Sequence, residues 1–161
     1  MHIPILIFAI GNESRGDDAL APLLVRSLEG RAETVGLAER VELIEDYQLQ
    51  VEHVTDLIGR NAVLFVDADV SCAEPFHFSA IIAEKDSSYT SHVMTPFALL
   101  HTYRQVYGID APPAFLLRIR GYDFELGNPP SELAAANLEA AMKRVREWCM
   151  DAISKTGGSA W

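Results

Sequence analysis

The chain opens on an apolar run, Ile3 to Ile10, that stops at Gly11. The run has no helical period and is rich in β-branched residues, so it predicts a strand buried on both faces, as in a parallel sheet covered by helices. Ala62 to Val66, ending in Asp67, repeats the pattern, and Ala114 to Gly121 supplies another such strand. Between them the period changes. Leu20, Leu23, Leu24 and Leu28 fall on one helical face, with Pro22 in the first turn, where its missing N–H does no harm. This predicts a helix from Ala19 or Leu20 to Gly30, with a second helical piece over 31–40. Val41 to Asp46 alternates partly and predicts a strand; Gln50 to Ile58 predicts a short helix closed by Gly59. Phe76 to Ile82 predicts a strand too close behind Asp67 for a helical crossover, and therefore an antiparallel edge strand. Thr95-Pro96 opens a helix with Phe97, Leu100, Tyr103, Val106 and Tyr107 on its apolar face and Gly108 at its end. Ser131 caps the last helix, whose face is Leu138, Ala141, Met142, Val145, Trp148, Cys149 and Ile153. Residues 155–161 read as a frayed tail. The expected fold is α/β: a three-layer α/β/α sandwich whose five-stranded sheet is mostly parallel, with one antiparallel edge strand, in one domain spanning residues 1–161.

In such sheets ligands bind outside the carboxyl ends of the strands. The loop Gly11-Asn12-Glu13-Ser14-Arg15-Gly16 brings Asp17 and Asp18 to that position after the first strand, and Asp67 ends the third. If these strands are neighbours, Asp18 and Asp67 face each other, and His92, on a polar loop before a helix, can return over the same edge. Two carboxylates and an imidazole suit a divalent transition ion such as nickel, zinc or manganese, with positions left open. Each residue also has a plainer reading: a helix cap for the acidic pair, an Asx turn for Asp67, a solvated loop for His92. Asp46, Asp69 and Asp123 are the runners-up for the carboxylate roles. The loop has neither a GxGxxG pattern nor GK[ST], and its acids stand where a pyrophosphate would need free N–H groups, which argues against a nucleotide. Ser14 lacks a GxSxG context, and nothing near Cys72 activates a thiol.

The net charge of −10 excludes a nucleic-acid backbone as an obvious partner, since phosphate neutralisation needs clustered Lys and Arg. Cys72 and Cys149 form no CxxC pair and read as free thiols of a reducing cytoplasm. The first apolar run is too short to span a membrane and lacks the basic lead and cleavage site of a signal peptide.

Gly11-Asn12 with Gly16-Asp17-Asp18, then Tyr47-Gln48-Leu49, Val66-Asp67-Ala68, His92 before Thr95-Pro96, and Gly121-Tyr122-Asp123-Phe124-Glu125-Leu126-Gly127 occur in this order. In this the chain resembles the hydrogenase maturation endopeptidases, over nearly its whole length. The resemblance implies a peptidase that removes the C-terminal extension of the large-subunit precursor of a nickel–iron hydrogenase. It implies that Asp18, Asp67 and His92 recognise nickel already inserted in that precursor and serve cleavage, and that the isolated protein holds no nickel of its own. Gln48, Asp69 and Asp123 are further residues for the cleft. Ala19, Ala21 and Pro22 stand where many members have glycines, and Ser91 precedes His92 where many have proline. The same ligands would serve a non-catalytic nickel- or precursor-binding module, or a metallohydrolase of small molecules.

Overall fold

The computed structural model describes residues 3–30, 39–85 and 94–157. Five strands, β1 (Ile5–Ile10), β2 (Val41–Asp46), β3 (Ala62–Asp69), β4 (Phe76–Ile81) and β5 (Ala114–Arg120), form one sheet in the order β2-β1-β3-β5-β4. β1 is parallel to β2 and β3, and β3 to β5; β4 lies antiparallel to β5 at the edge, as its short connection to β3 requires.

Alternation along the strands divides the core. Ile5, Ile7 and Ala9 of β1 and Leu64 and Val66 of β3 point to one face, covered by helices α1 (Leu20–Gly30) and α3 (Glu132–Gly157). Leu6, Phe8, Val63 and Phe65 point to the other, under helix α2 (Pro96–Tyr107) and a 3-10 turn over Val51–Leu57. Phe8 and Phe65 are fully buried, with ring centres 6.2 Å apart; burial of each such ring contributes about 2–3 kcal/mol.

Helix starts follow their caps. The Thr95 hydroxyl accepts from Ala98 N, Pro96 takes the first helical position, and Gly108 ends α2 in the left-handed region. Three expectations are corrected. The segment after Gln50 is a 3-10 turn rather than an α-helix; the His53 ring accepts from Gln50 N and tightens it. The buried stripe of α2 runs through Leu99 and Tyr103, leaving Val106 and Tyr107 exposed in its last turn. The last helix continues through Gly157, with Lys155 paired to Asp151 one turn back at 3.1 Å; 158–161, the rest of the expected tail, lie outside the described residues. Most of the helical piece expected over 31–40 lies outside the described residues, and 39–40 form a turn.

Candidate functional site at the carboxyl edge of the sheet

The chain leaving β1 folds back at once. A Cβ on Gly11 would stand 2.1 Å from the Asp18 carbonyl oxygen, so only glycine admits this approach. A 3-10 turn over Gly16–Ala19 follows and is bound to the segment after β5. Gly16 N donates to Asn128 O (2.9 Å), Asp17 N to Asp123 O (2.7 Å) and Gly127 N to Ser14 O (2.7 Å). Gly16 has φ +53°, and a Cβ there would meet Asp123 O at 2.2 Å. Gly16→Ala therefore combines a left-handed backbone with a clash against main chain, and we expect a loss of at least about 2 kcal/mol in chemical denaturation.

Asp17 is the hub of this junction and is fully buried. Its carboxylate accepts from Ser131 N (2.6 Å), Tyr122 N (2.7 Å), Asp123 N (3.0 Å) and the Ser131 hydroxyl (2.8 Å). Burial works to raise its pKa, but the four hydrogen bonds prevail and hold it below the usual carboxylate range. Ser131 in turn accepts from Ala134 N at the mouth of α3, so one carboxylate fixes the β1 loop, the post-β5 loop and the start of α3 together. Its neighbour Asp18 is free of this role.

Asp18 and Asp67 do converge. β1 and β3 are paired neighbours, with Ala9 opposite Val66, so the loop after β1 overhangs the end of β3. Asp18 accepts from Asn12 N and Asp67 from Ala68 N, each at 2.8 Å. Among the described residues each carboxylate gives one oxygen to the chain and leaves the other unengaged. Desolvation, and then the nearby charge of Asp18, push the Asp67 pKa up to about 7. Desolvation also raises Asp18, against the hydrogen bond from Asn12 and the charge of Arg15. Two half-buried carboxylates in one field favour a shared proton or a cation.

The runners-up are engaged elsewhere. Desolvation would raise Asp69, but hydrogen bonds from Ser71 and from Arg118 (3.1 Å) hold it low. Asp46 accepts from Tyr47 N and contacts His53 Nε2 at 3.2 Å. Asp123 accepts from Glu125 N and Asn128 Nδ2. Both cysteines are buried free thiols with raised pKa values, Cys149 reaching about 12, which removes any thiolate nucleophile.

His92 lies outside the described residues. The described chain resumes at Met94, which forms an antiparallel bridge with Leu49 just beyond β2. Among the described residues no group of three His, Cys, Asp or Glu side chains is assembled to hold a metal, so the described part of the proposed set is the Asp18–Asp67 pair. No helix among the described residues is long and apolar enough to cross a membrane.

Arg118 and Arg120 were not singled out by the sequence reading. Their signal was the alternation in Leu116-Leu117-Arg118-Ile119-Arg120: two charges spaced by two in an otherwise apolar strand, hence on one face of the sheet.

No family model and no curated protein matches the chain in sequence. Solved structures do match in fold. The hydrogenase maturating endopeptidase HybD from E. coli superposes with a TM-score of 0.70 at 19% identity, covering 92% of this chain and 93% of that one. The NiFe hydrogenase maturation protease HycI from Thermococcus kodakarensis KOD1 gives 0.66 at 23% identity, covering 90% and 91%. The hydrogenase 2 maturation peptidase from a Thaumarchaeota archaeon gives 0.62 at 20%, covering 89% and 96%. Over about nine-tenths of its length, this chain has the fold of these hydrogenase maturation proteases.

Proposed function

We propose that the protein is an endopeptidase that removes the C-terminal extension of a nickel-loaded precursor of a nickel–iron hydrogenase large subunit. The observation that carries this reading is the approach of Asp18 and Asp67 at the carboxyl edge, each with a raised pKa and, among the described residues, one unengaged oxygen, on a fold shared with proteases of that name. A divalent cation bound between such carboxylates favours their ionised form and displaces the proton to solvent.

In the proposal the cation is nickel carried by the substrate. Asp18 and Asp67 supply hard oxygen donors, and His92 supplies a borderline nitrogen. Three protein ligands without a thiolate make a weak site by themselves, in contrast to closed four-ligand structural sites. The protein should therefore hold nickel loosely alone and firmly once precursor ligands complete the coordination. Docking in this way sets the tail of the precursor across the strand ends. Water then attacks the scissile carbonyl carbon, the oxygen of one carboxylate of the pair that does not hold the cation takes its proton on its remaining lone pair, and that proton passes to the departing amine as the C–N bond breaks. The buried free thiols agree with a reducing compartment such as the cytoplasm.

The test is incubation of the protein with nickel-loaded precursor and mass measurement of the products. Wild type is expected to release the extension. Asp18→Ala, Asp67→Asn and His92→Ala are each expected to slow release at least about 100-fold while circular dichroism stays that of a folded chain. Tight binding without a shorter product would assign the protein to precursor holding instead.

A further inference from the structure

One strand away from the acidic pair, the same sheet edge carries positive charge that the cleavage reading does not use. Arg118 stands opposite Asp67 and Arg120 opposite Asp69 in the β3–β5 register, so all four share one face. Arg118 is balanced: it donates to Asp69 and contacts His77 at 3.3 Å. Arg120 is not. Among the described residues its guanidinium makes one hydrogen bond, to the neutral Cys72 carbonyl at 2.8 Å, and lies 5.1 Å from the centre of the Tyr122 ring. Among the described residues no carboxylate pairs with it; Glu74, close by, is taken by the Tyr122 hydroxyl. The Nε–H groups of both arginines are shielded from solvent and, among the described residues, without an acceptor. A stack on an aromatic ring leaves the in-plane N–H donors of a guanidinium unsatisfied. A partly buried cation with idle donors is costly until an anion arrives, and the fork of an arginine matches a carboxylate.

We propose that Arg120, with Arg118 beside it, is a subsite for a carboxylate of the bound peptide, either an acidic side chain or a free C-terminus. This rests on the reading that a peptide lies across the strand ends. The field there explains the need: Asp18, Asp67 and Asp69 and a net charge of −10 would repel an acidic peptide, and the two guanidiniums give its charge one defined place.

The test uses four blocked alanine peptides titrated into the full chain, with the arginine Nε–H signals followed by NMR. One carries a central glutamate and a second glutamine there, both with amidated ends; a third, without either residue, ends in a free carboxylate and the fourth in an amide. A carboxylate peptide is expected to bind at least about tenfold more tightly than its amide and to shift the Arg120 signal. Arg120→Gln should erase that preference, and Arg104→Gln, in the last turn of α2, should keep it. The pair showing the preference identifies the source of the carboxylate. Equal binding of acid and amide, or no binding of any peptide, overturns the subsite. The readout does not depend on cleavage: a preference without precursor processing would sink the peptidase reading alone, and processing without a preference would sink the subsite alone.

Discussion

Asp17→Ala is expected to unfold the chain, or to lower its stability by at least about 4 kcal/mol, while Asp18→Ala leaves it folded. Removing the Asp17 carboxylate strands three backbone N–H groups, those of Tyr122, Asp123 and Ser131, inside a junction where the replaced side chain was fully buried. Each orphaned donor costs about 1–3 kcal/mol, against a typical total of about 5–15 kcal/mol for a domain. Asp17→Asn should be nearly as harmful, because an amide cannot accept all four bonds in that geometry. Asp18 accepts one backbone bond at a half-buried loop, so its loss costs about 1 kcal/mol or less, and relief of the field on Asp67 offsets part of it. Urea denaturation of the two single variants separates these cases. Similar midpoints would mean that the acidic pair has no division of labour.

Asp67→Asn is expected to stabilise the protein at pH 8 by about 2–4 kcal/mol and to abolish cleavage. In the unfolded chain Asp67 releases its proton near the ordinary value of 3.8; in the folded chain it keeps the proton up to about pH 7. Between these values the folded state binds more protons than the unfolded state, so stability falls as pH rises, by up to about 1.4 kcal/mol per unit, and the loss is complete above pH 7. Asp17 has the opposite sign. Its lowered pKa contributes stability that is present above about pH 4 and is lost as acid protonates the folded form. Thermal melts of wild type should therefore decline from pH 5 to pH 8, and those of Asp67→Asn should be flatter over that range. A wild-type melting temperature independent of pH there would show that Asp67 ionises normally. A stability gained by removing a site carboxylate marks a group held in place for function.

Much of the fold was legible because it follows from period and connection length. The unbroken apolar runs of β1 and β3 and the turn too short for a crossover before β4 specified a mostly parallel sheet with one reversed edge. The convergence of Asp18 and Asp67 followed from strand ends on neighbouring strands. What could not be read was the division between adjacent acids. Asp17 and Asp18 look alike in sequence; their difference depends on N–H groups more than a hundred residues away, at Tyr122, Asp123 and Ser131. The idle donors of Arg120 were equally hidden, since whether a charge is paired depends on tertiary neighbours such as Cys72 and Tyr122.

The central claim is that carboxylates at the sheet edge read a metal in the precursor and so license cleavage. The most direct measurement compares precursor prepared with and without nickel, cleaved by the metal-free protein and followed by mass spectrometry. The account predicts release of the extension only from nickel-loaded precursor, and none from either form with His92→Ala. Equal cleavage of nickel-free precursor by wild type would contradict it.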